Sequence, residues 1–458
     1  MVIFDQAVET AVQVICGWNY SDKLKEVTIV RDVIGKIAFL LDFGDQVCPD
    51  EDRDTLRGML EQGLGRHFQG NVYWKQGRNS DLVRTMILEI EQLRLLKEYR
   101  QEITWFILER AIAKKAWVEC TGIERAVWPY EDALTERNPK VVTFYSFKGG
   151  MGRTTALAAV ALSLAKEGKN VLAIDTDIEA PGLASLFFDE TSMSCGTVDY
   201  LLEASVSFEG ETVDMSRMIL QVTDPVVTED LTGNVFVVPA GTVDERYLQK
   251  LARIDYQDAI PHNMKKQLAR LITDAVGVIA PVCKVDYILL DSRAGFHDMG
   301  GVITAQIPHG VVLFGKDSRQ SWHGMEQVIH AIGTSQVEKP FILLVDSACG
   351  RDGLVGSEEK QSFKNQAYMV CCEAYYWEDE QQPGPEAVDE AHSPVFVPYQ
   401  PLLAGNIQLF SDGTETQNEM VRQMKQMLMG ESYQQIKERI RQWFAAGEEE
   451  QDGQAGDS

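Results

Sequence analysis

Three glycines within four residues lie between an apolar segment and a segment with helical spacing. The apolar run Val141–Phe144 leads into the loop Lys148-Gly-Gly-Met-Gly152, and Ala156–Lys166 follows with the spacing of a helix. Backbone amides beside glycine can approach a polyphosphate closely, and the N-terminus of the following helix adds its positive dipole. The order of strand, glycine loop and helix therefore predicts a phosphate-binding loop.

The residues after the third glycine carry side chains suited to phosphate chemistry. Arg153 supplies positive charge, Thr154 lies where a loop hydroxyl would meet Mg²⁺, and Thr155 could donate to another phosphate. The loop departs from the G-x-x-x-x-G-K-[ST] pattern, because Phe147 replaces the first glycine and Arg153 replaces the lysine. A guanidinium is planar and prefers to grip two oxygens, so nucleotide binding is better supported than fast turnover.

Carboxylates follow two further apolar runs. Asp175 and Asp177 come at the end of Val171–Ile174, and Asp291 ends Tyr287–Leu290 in a Walker B pattern. The carboxyl ends of neighbouring parallel strands meet at one edge of a sheet, where the phosphate loop also lies. We therefore expect these carboxylates to face bound phosphate and a metal ion, although paired aspartates at a strand end also form ordinary turns.

This combination of motifs resembles the deviant Walker A ATPases of the ParA/MinD type, whose loop reads K-G-G-x-G-K-[ST]. With arginine at position 153, the loop is similar to the K-G-G-V-G-R variant branch, with Met151 in place of the valine. The resemblance extends over residues 140–446 and does not include the first 135 residues. It implies that ATP and Mg²⁺ are bound, with a nucleotide-contacting set of Lys148, Gly149, Gly150, Met151, Gly152, Arg153, Thr154, Thr155, Arg293, Gly295 and Asp346.

The resemblance also implies roles for single residues. Asp177 would orient the attacking water, and Asp175 would support the Mg²⁺ shell together with Thr154 and Asp291. Lys148 would cross a homodimer interface and contact the phosphates of the partner subunit, which makes Lys148 and Asp177 the candidate catalytic residues. ATP would then join two subunits, and its hydrolysis would separate them.

Two segments and two single residues are interpreted with the help of the same resemblance. Ile178–Leu183 resembles switch I, and Ser292–Gly295 resembles switch II, where the Gly295 amide can sense a γ-phosphate. Arg293 could clamp phosphate in its own subunit, reach a neighbouring subunit or pair with one of the many acids. Asp346 ends an apolar run and could face adenine, suit a guanine edge or be an ordinary strand-end residue, and ATP is preferred over GTP on the resemblance alone.

Apolar strand-length runs alternate with helix-length segments through residues 140–446. Continuous apolar runs of this kind are typical of a mostly parallel sheet covered by helices on both faces, an α/β fold of the P-loop NTPase class. The predicted strands are Val141–Phe144, Val171–Ile174, Val235–Val238, Tyr287–Leu290, Val311–Phe314, Phe341–Val345 and Val395–Val397.

Residues 1–135 predict a separate, small α+β module that couples the ATPase domain to a protein partner or effector. Its pattern includes one long amphipathic helix over Asp81–Trp117, which contains neither proline nor glycine, and a linker near Trp128–Pro139. Residues 447–458 are rich in glycine and acid and predict a disordered tail. The apolar stripe of Ile436, Ile440, Trp443 and Phe444 predicts a last helix packed on the ATPase domain rather than on a membrane.

The composition argues against several classes of function. The chain has 458 residues with 69 acidic and 43 basic side chains, a net charge of −26, which opposes binding to nucleic acid or to anionic lipid. No apolar run approaches the roughly 18 residues of a membrane span, and the N-terminus lacks a signal-peptide pattern. Eight cysteines without CxxC spacing fit free thiols, so we expect a cytoplasmic protein.

These features lead to one hypothesis and two alternatives. The first is an Mg²⁺-ATP-dependent, slowly hydrolysing dimer switch that regulates a partner, and thus an ATPase. The second is a regulatory subunit that senses nucleotide without hydrolysing it. The third, a DNA-partition ATPase, is opposed by the charge of the chain.

Overall fold

The computed structural model describes residues 2–46, 48–76, 80–99, 103–110, 113–118, 139–189, 195–207, 211–254, 263–333, 339–350, 354–376, 382–405 and 407–452. The chain divides into two compact units, Met1–Ile112 and Ala113–Ser458. The linker predicted near Trp128–Pro139 lies almost wholly outside the described residues.

The first unit has the small α+β fold that the sequence predicts for the N-terminal region. Its five strands are arranged in the order β3-β2-β1-β5-β4; β1 pairs with β2 and β5 with β4 in antiparallel fashion, whereas the β1–β5 and β2–β3 pairs are parallel. Its elements are α1 (Phe4–Cys16), β1 (Glu26–Arg31), β2 (Ile37–Asp42), α2 (Asp50–Leu64), β3 (Phe68–Trp74), α3 (Asp81–Leu93), β4 (Leu95–Lys97) and β5 (Thr104–Glu109).

The prediction of one long helix over Asp81–Trp117 is wrong. The helix α3 ends at Leu93, and Arg94 turns into extended backbone while its guanidinium donates to Thr28 Oγ1 and Glu26 Oε2, both at 2.9 Å. Two strands follow instead, and Trp105 is buried in the second of them, β5, which lies between β1 and β4. Aromatic and β-branched residues favour strands, and here sheet pairing overrides a spacing that also fits a helix.

The second unit contains an eight-stranded sheet in the order β13-β12-β11-β6-β10-β7-β9-β8. All pairs are parallel except the edge pair β8–β9. The seven predicted strands are confirmed, and only the short antiparallel β8 was not foreseen. The strands are β6 (Lys140–Ser146), β7 (Val171–Asp175), β8 (Leu220–Gln221), β9 (Val235–Val238), β10 (Tyr287–Asp291), β11 (Gly310–Gly315), β12 (Phe341–Cys349) and β13 (Val395–Pro398).

Helices cover both faces of this sheet, as predicted. One core cluster joins the sheet to α5, α14 and α15, and two others join it to α7, α10, α12 and α13 on the remaining surface. The helices are α4 (Lys115–Val118), α5 (Arg153–Lys166), α6 (Leu183–Phe187), α7 (Thr197–Val206), α8 (Pro225–Thr228), α9 (Tyr247–Ile254), α10 (Asn263–Ile279), α11 (Asp298–Gly301), α12 (Arg319–Gly333), α13 (Leu354–Ala374), α14 (Glu415–Leu428) and α15 (Glu431–Asp452).

The C-terminal helix packs on the eight-stranded sheet, as the sequence predicts. Ile436, Ile440 and Phe444 are buried in the core cluster that contains α5. The prediction of a disordered tail from residue 447 is wrong for residues 447–452. The helix α15 continues to Asp452 because its glutamates favour helix. Residues 453–458 lie outside the described part. Among the described helices, none is both long and apolar enough to cross a membrane.

Candidate functional site

The glycine loop lies between the carboxyl end of β6 and the first turn of α5. Gly150 and Gly152 have φ angles of 72° and 74°, a conformation that favours glycine. A Cβ atom added at Gly149, Gly150 or Gly152 would meet no atom within 4 Å. The Ser146 hydroxyl at the end of β6 holds the start of the loop, because it donates a hydrogen bond to Lys148 O at 2.5 Å. The glycines therefore present backbone to open space, as a phosphate cradle requires.

Arg153 is buried at the start of α5 and is paired with a carboxylate. Its Nη2 donates to Asp177 Oδ2 at 3.2 Å, and its Nη1 donates to Ser146 Oγ at 3.2 Å. Burial raises the pKa of Asp177, and the Arg153 charge opposes that shift. The predicted phosphate-binding cation and the predicted water-orienting carboxylate thus hold each other in this structure.

Asp175 is fully buried and bonds to backbone. Its Oδ2 accepts from the amides of Gly182 at 3.1 Å and Leu183 at 3.0 Å, and its Oδ1 accepts from Asp177 N at 3.0 Å. Burial, followed by the charge of Asp291, raises the pKa of Asp175 well above its usual value. This arrangement fits a residue that supports the surrounding loop more than one that contacts a metal directly.

Asp291 ends β10 in register with Asp175 of β7 and Phe144 of β6. Its Oδ2 accepts from Thr154 Oγ1 at 2.6 Å, whereas its buried Oδ1 has no hydrogen-bond partner in the described part of the chain. Burial raises the pKa of Asp291 to about 6, against the opposing effects of Arg153 and of the Thr154 hydrogen bond.

The Thr154 hydroxyl and the free Asp291 oxygen are the oxygen ligands that Mg²⁺ prefers. Within the described ranges there is no group of three or more His, Cys, Asp and Glu that would hold a metal unaided. Mg²⁺ usually keeps several waters and binds through one or two carboxylates plus substrate phosphates. The residues present therefore fit an ion that arrives with a polyphosphate.

The segment of residues 292–297 lies directly beside the glycine loop. Gly295 N donates to Ser146 O at 3.4 Å, and Gly295 O accepts from Tyr145 Oη at 3.0 Å. Of the three alternatives for Arg293, the structure shows pairing with an acid, because its guanidinium forms an ion pair with Glu179. Glu179, which the sequence did not single out, belongs to the segment that resembles switch I.

A pocket of about 160 Å³ opens on the other side of the loop. Met151 and Thr155 line it from the loop and α5, and the loop after β13 faces them with Tyr399 among its residues. Ser347 lines this pocket and donates to Met151 O at 2.5 Å, whereas the neighbouring Asp346 is not part of the lining. Sequence reasoning missed the residues of the opposite wall, since no motif marks them: Phe314, Lys316, Val397, Pro398, Gln400, Leu403, Ala404 and Tyr433.

Asp346 is buried within β12 rather than at its end. Burial, with the charges of Asp317 and Glu359, raises the pKa of Asp346 to about 7. Lys148, in contrast, is only partly buried at the rim of the loop, and its ammonium forms no ion pair within the described part of the chain.

Comparisons with known proteins agree with this geometry. A family model described as an AAA domain matches residues 139–239. An uncharacterized ATP-binding protein of Methanocaldococcus jannaschii is 31% identical over 157 residues, which are 34% of this chain and 46% of that protein. The septum site-determining protein MinD of Helicobacter pylori is 30% identical over 156 residues, 34% of this chain and 45% of the relative.

The chain spans less than half the length of these curated relatives. Among solved structures, that of pNOB8 ParA matches with a TM-score of 0.45 and 16% identity, over 68% of this chain and 99% of the other. A ParA family ATPase from Chlorobium tepidum matches with a TM-score of 0.41 and 13% identity, over 67% and 99%. Neither likeness is strong enough to bear on function.

Proposed function

Because the chain contains a P-loop ATPase domain of the ParA/MinD type, we propose that it is an Mg²⁺-ATP-dependent switch that dimerises with ATP and regulates a protein partner. The observation that carries this proposal is the group of buried Arg153, Asp177 and Asp291 and partly buried Thr154 beside an open glycine loop. Buried charges of this kind are costly unless a ligand or a partner charge compensates them.

The contacts of Arg153 with Asp177 and Ser146 would make hydrolysis slow. Arg153 cannot grip phosphate oxygens with both of its amino groups while these bind Asp177 and Ser146. Phosphate must therefore compete with Asp177 for the guanidinium, and its arrival releases the carboxylate to orient a water. Turnover would then depend on a step after binding, in which phosphate replaces Asp177 as the partner of the Arg153 guanidinium.

Bound Mg²⁺ would neutralise charge on the phosphates. Thr154 Oγ1 and Asp291 Oδ1 would hold it, and Asp175 would keep the loop that follows β7 in place through the amides of Gly182 and Leu183. The pocket of about 160 Å³ beside Met151 and Ser347 would hold the base.

Lys148 would contact the phosphates of a second copy, and its partial exposure at the start of the loop supports this part of the proposal. The residues of the first unit, which lie outside the ATPase fold, would meet the regulated partner.

The test is the molar mass of the full chain in solution with Mg²⁺ and a non-hydrolysable ATP analogue. We expect wild type to dimerise and Lys148→Ala to remain monomeric while it binds the analogue with nearly unchanged affinity. Lys266→Ala removes a lysine from the exposed surface of α10 and should dimerise like wild type. Normal dimerisation of Lys148→Ala would contradict the proposal.

The alternative function is a subunit that senses nucleotide without hydrolysing it. The pairing of Asp177 with Arg153 favours it, since the water-orienting carboxylate is occupied. Binding of the analogue without phosphate release from ATP, under any partner condition tested, would select this alternative. Phosphate release stimulated by DNA would instead revive a DNA-dependent function, which the net charge of −26 opposes.

A further inference from the structure

We propose that Trp117 is a positioning residue for the segment of residues 292–297, and that it sets how strongly the site prefers a nucleoside triphosphate over a diphosphate. Trp117 lies in α4, the short helix that follows directly on the first unit in the sequence but belongs to the second. This inference rests on the proposed function, because it concerns regulation of the same site.

Trp117 is attached to the 292–297 segment by a hydrogen bond and by ring packing. Its indole Nε1 donates to His297 O at 2.7 Å. Its ring meets Phe296 edge-on with the centroids 5.3 Å apart, and Tyr145 of β6 with the centroids 5.5 Å apart. Aromatic contacts at these distances add to the free energy of simple burial.

Two neighbouring contacts fix α4 in the same place. Lys114 pairs with Asp298, with its Nζ 2.9 Å from Asp298 Oδ2, and its backbone amide donates to the same carboxylate. Lys114 has a φ angle of 64°, a strained value for a residue other than glycine. Gly301 lies so close that an added Cβ would be 2.9 Å from Ala116 Cβ and 3.0 Å from Trp117 Nε1.

The contacts of Trp117 continue to the phosphate loop without a gap. Phe296 packs on Phe147 with the ring centroids 5.1 Å apart, and Gly295 donates its amide to Ser146 O at 3.4 Å. Glu179 joins the segment to the loop after β7, because it pairs with Arg293 and lies 2.8 Å from His297 Nε2.

Because of these contacts, Trp117 opposes a movement of the backbone from Gly295 to His297. To contact a γ-phosphate, the Gly295 amide must leave Ser146 O, and the backbone up to His297 must follow. Trp117 and Lys114 hold that backbone where it is, so the ligand-free arrangement is favoured over the one that a triphosphate needs. A diphosphate does not require the change, and its affinity is independent of the anchor.

The experiment measures, by calorimetry on the full chain with Mg²⁺, the affinities for ADP and for a non-hydrolysable ATP analogue. Trp117→Ala removes the anchor, and Gly301→Ala displaces α4 by steric overlap without altering any residue of the loop. Gly300→Ala is the matched control, since its new Cβ would meet atoms only at 3.7 Å or more. Trp117→Phe keeps a ring but loses the hydrogen-bond donor.

We expect the analogue-to-ADP affinity ratio to rise about 5-fold or more in Trp117→Ala and Gly301→Ala, the lower range of coupling between sites. Trp117→Phe should lie between these variants and wild type, and Gly300→Ala should match wild type. If Trp117→Ala does not fold, Gly301→Ala and Lys114→Ala decide the question.

An unchanged or lowered ratio in the folded variants, with wild type binding both nucleotides, overturns this inference and leaves the proposed function intact. A wild type that binds neither nucleotide overturns the proposed function itself.

Discussion

The two ends of the candidate nucleotide site differ in the polarity of the side chains that form them. The phosphate end consists of charged side chains with polar partners: Arg153 forms an ion pair with Asp177, and the Asp291 carboxylate accepts a hydrogen bond from the Thr154 hydroxyl. The end proposed to hold the base is a pocket of mostly apolar and neutral side chains such as Phe314 and Tyr433. A buried charge must find a compensating partner, whereas apolar walls need only shape. Substitutions at the phosphate end should therefore affect function most, and those towards the base end should affect mainly stability.

The largest effect is expected at Asp177. Asp177→Ala should lower the rate of phosphate release at saturating Mg²⁺-ATP by about 10²-fold, because the water loses its positioning group. Nucleotide affinity should not fall, since Arg153 loses the carboxylate that competes with phosphate. Glu203→Ala, which removes an exposed carboxylate from α7, is the control. A rate within about 3-fold of wild type would show that Asp177 does not act on the water.

A smaller effect is expected at Thr154. Thr154→Ala removes the hydroxyl that donates to Asp291 Oδ2 at 2.6 Å, together with an oxygen ligand for Mg²⁺. The gain in ADP affinity on adding Mg²⁺ should shrink by about 10-fold, and Thr154→Ser should preserve it. Calorimetric titrations with and without the ion measure this gain. If the alanine variant responds to Mg²⁺ as wild type does, this hydroxyl is not part of the metal site.

The smallest effect on nucleotide binding and turnover is expected at Asp346, which lies beside the pocket and where a substitution should change stability instead. Its folded-state pKa of about 7 lies above the usual 3.8, so the folded protein binds the proton more tightly than the unfolded chain. The stability linked to this proton is complete below pH 4 and is lost as the pH rises towards 7. Asp346→Asn should therefore raise the free energy of unfolding by about 2 kcal/mol at pH 8, and by much less at pH 4.

Thermal unfolding at the two pH values checks this prediction. Glu359→Gln should give part of the same gain, because it removes only one of the charges that repel the Asp346 carboxylate. A destabilised Asp346→Asn protein at pH 8 would mean that the ionised carboxylate has a favourable partner.

The sequence predicted which residues of the phosphate end lie close together, because these residues belong to short contiguous motifs. The Lys148–Thr155 loop, the Asp175–Asp177 pair and Asp291 each follow an apolar strand, and parallel strands bring their carboxyl ends together. The strand pattern of the ATPase-type sheet was predicted for the same reason, since buried parallel strands give continuous apolar runs.

What could not be predicted depends on residues far apart in the chain. Tyr399 and Ser347 meet at one pocket only because β12 and β13 are neighbours in the sheet. Nothing in the sequence near Trp117 indicates that it contacts His297, 180 residues away. The long helix failed for a related reason: Arg94 finds its partners on β1, and that pairing ends α3 at Leu93.

The helix α5 has a consequence for how the protein tolerates mutation. Every residue from Ala156 to Ala165 is buried, and Ala156, Ala158, Ala159, Ala161 and Ala165 leave no room for a larger side chain. Added methyl groups in a tightly packed core typically cost about 1–3 kcal/mol. In a complete survey of single substitutions, the most sensitive stretch should therefore extend well beyond the nucleotide contacts, along a helix whose later residues touch no ligand.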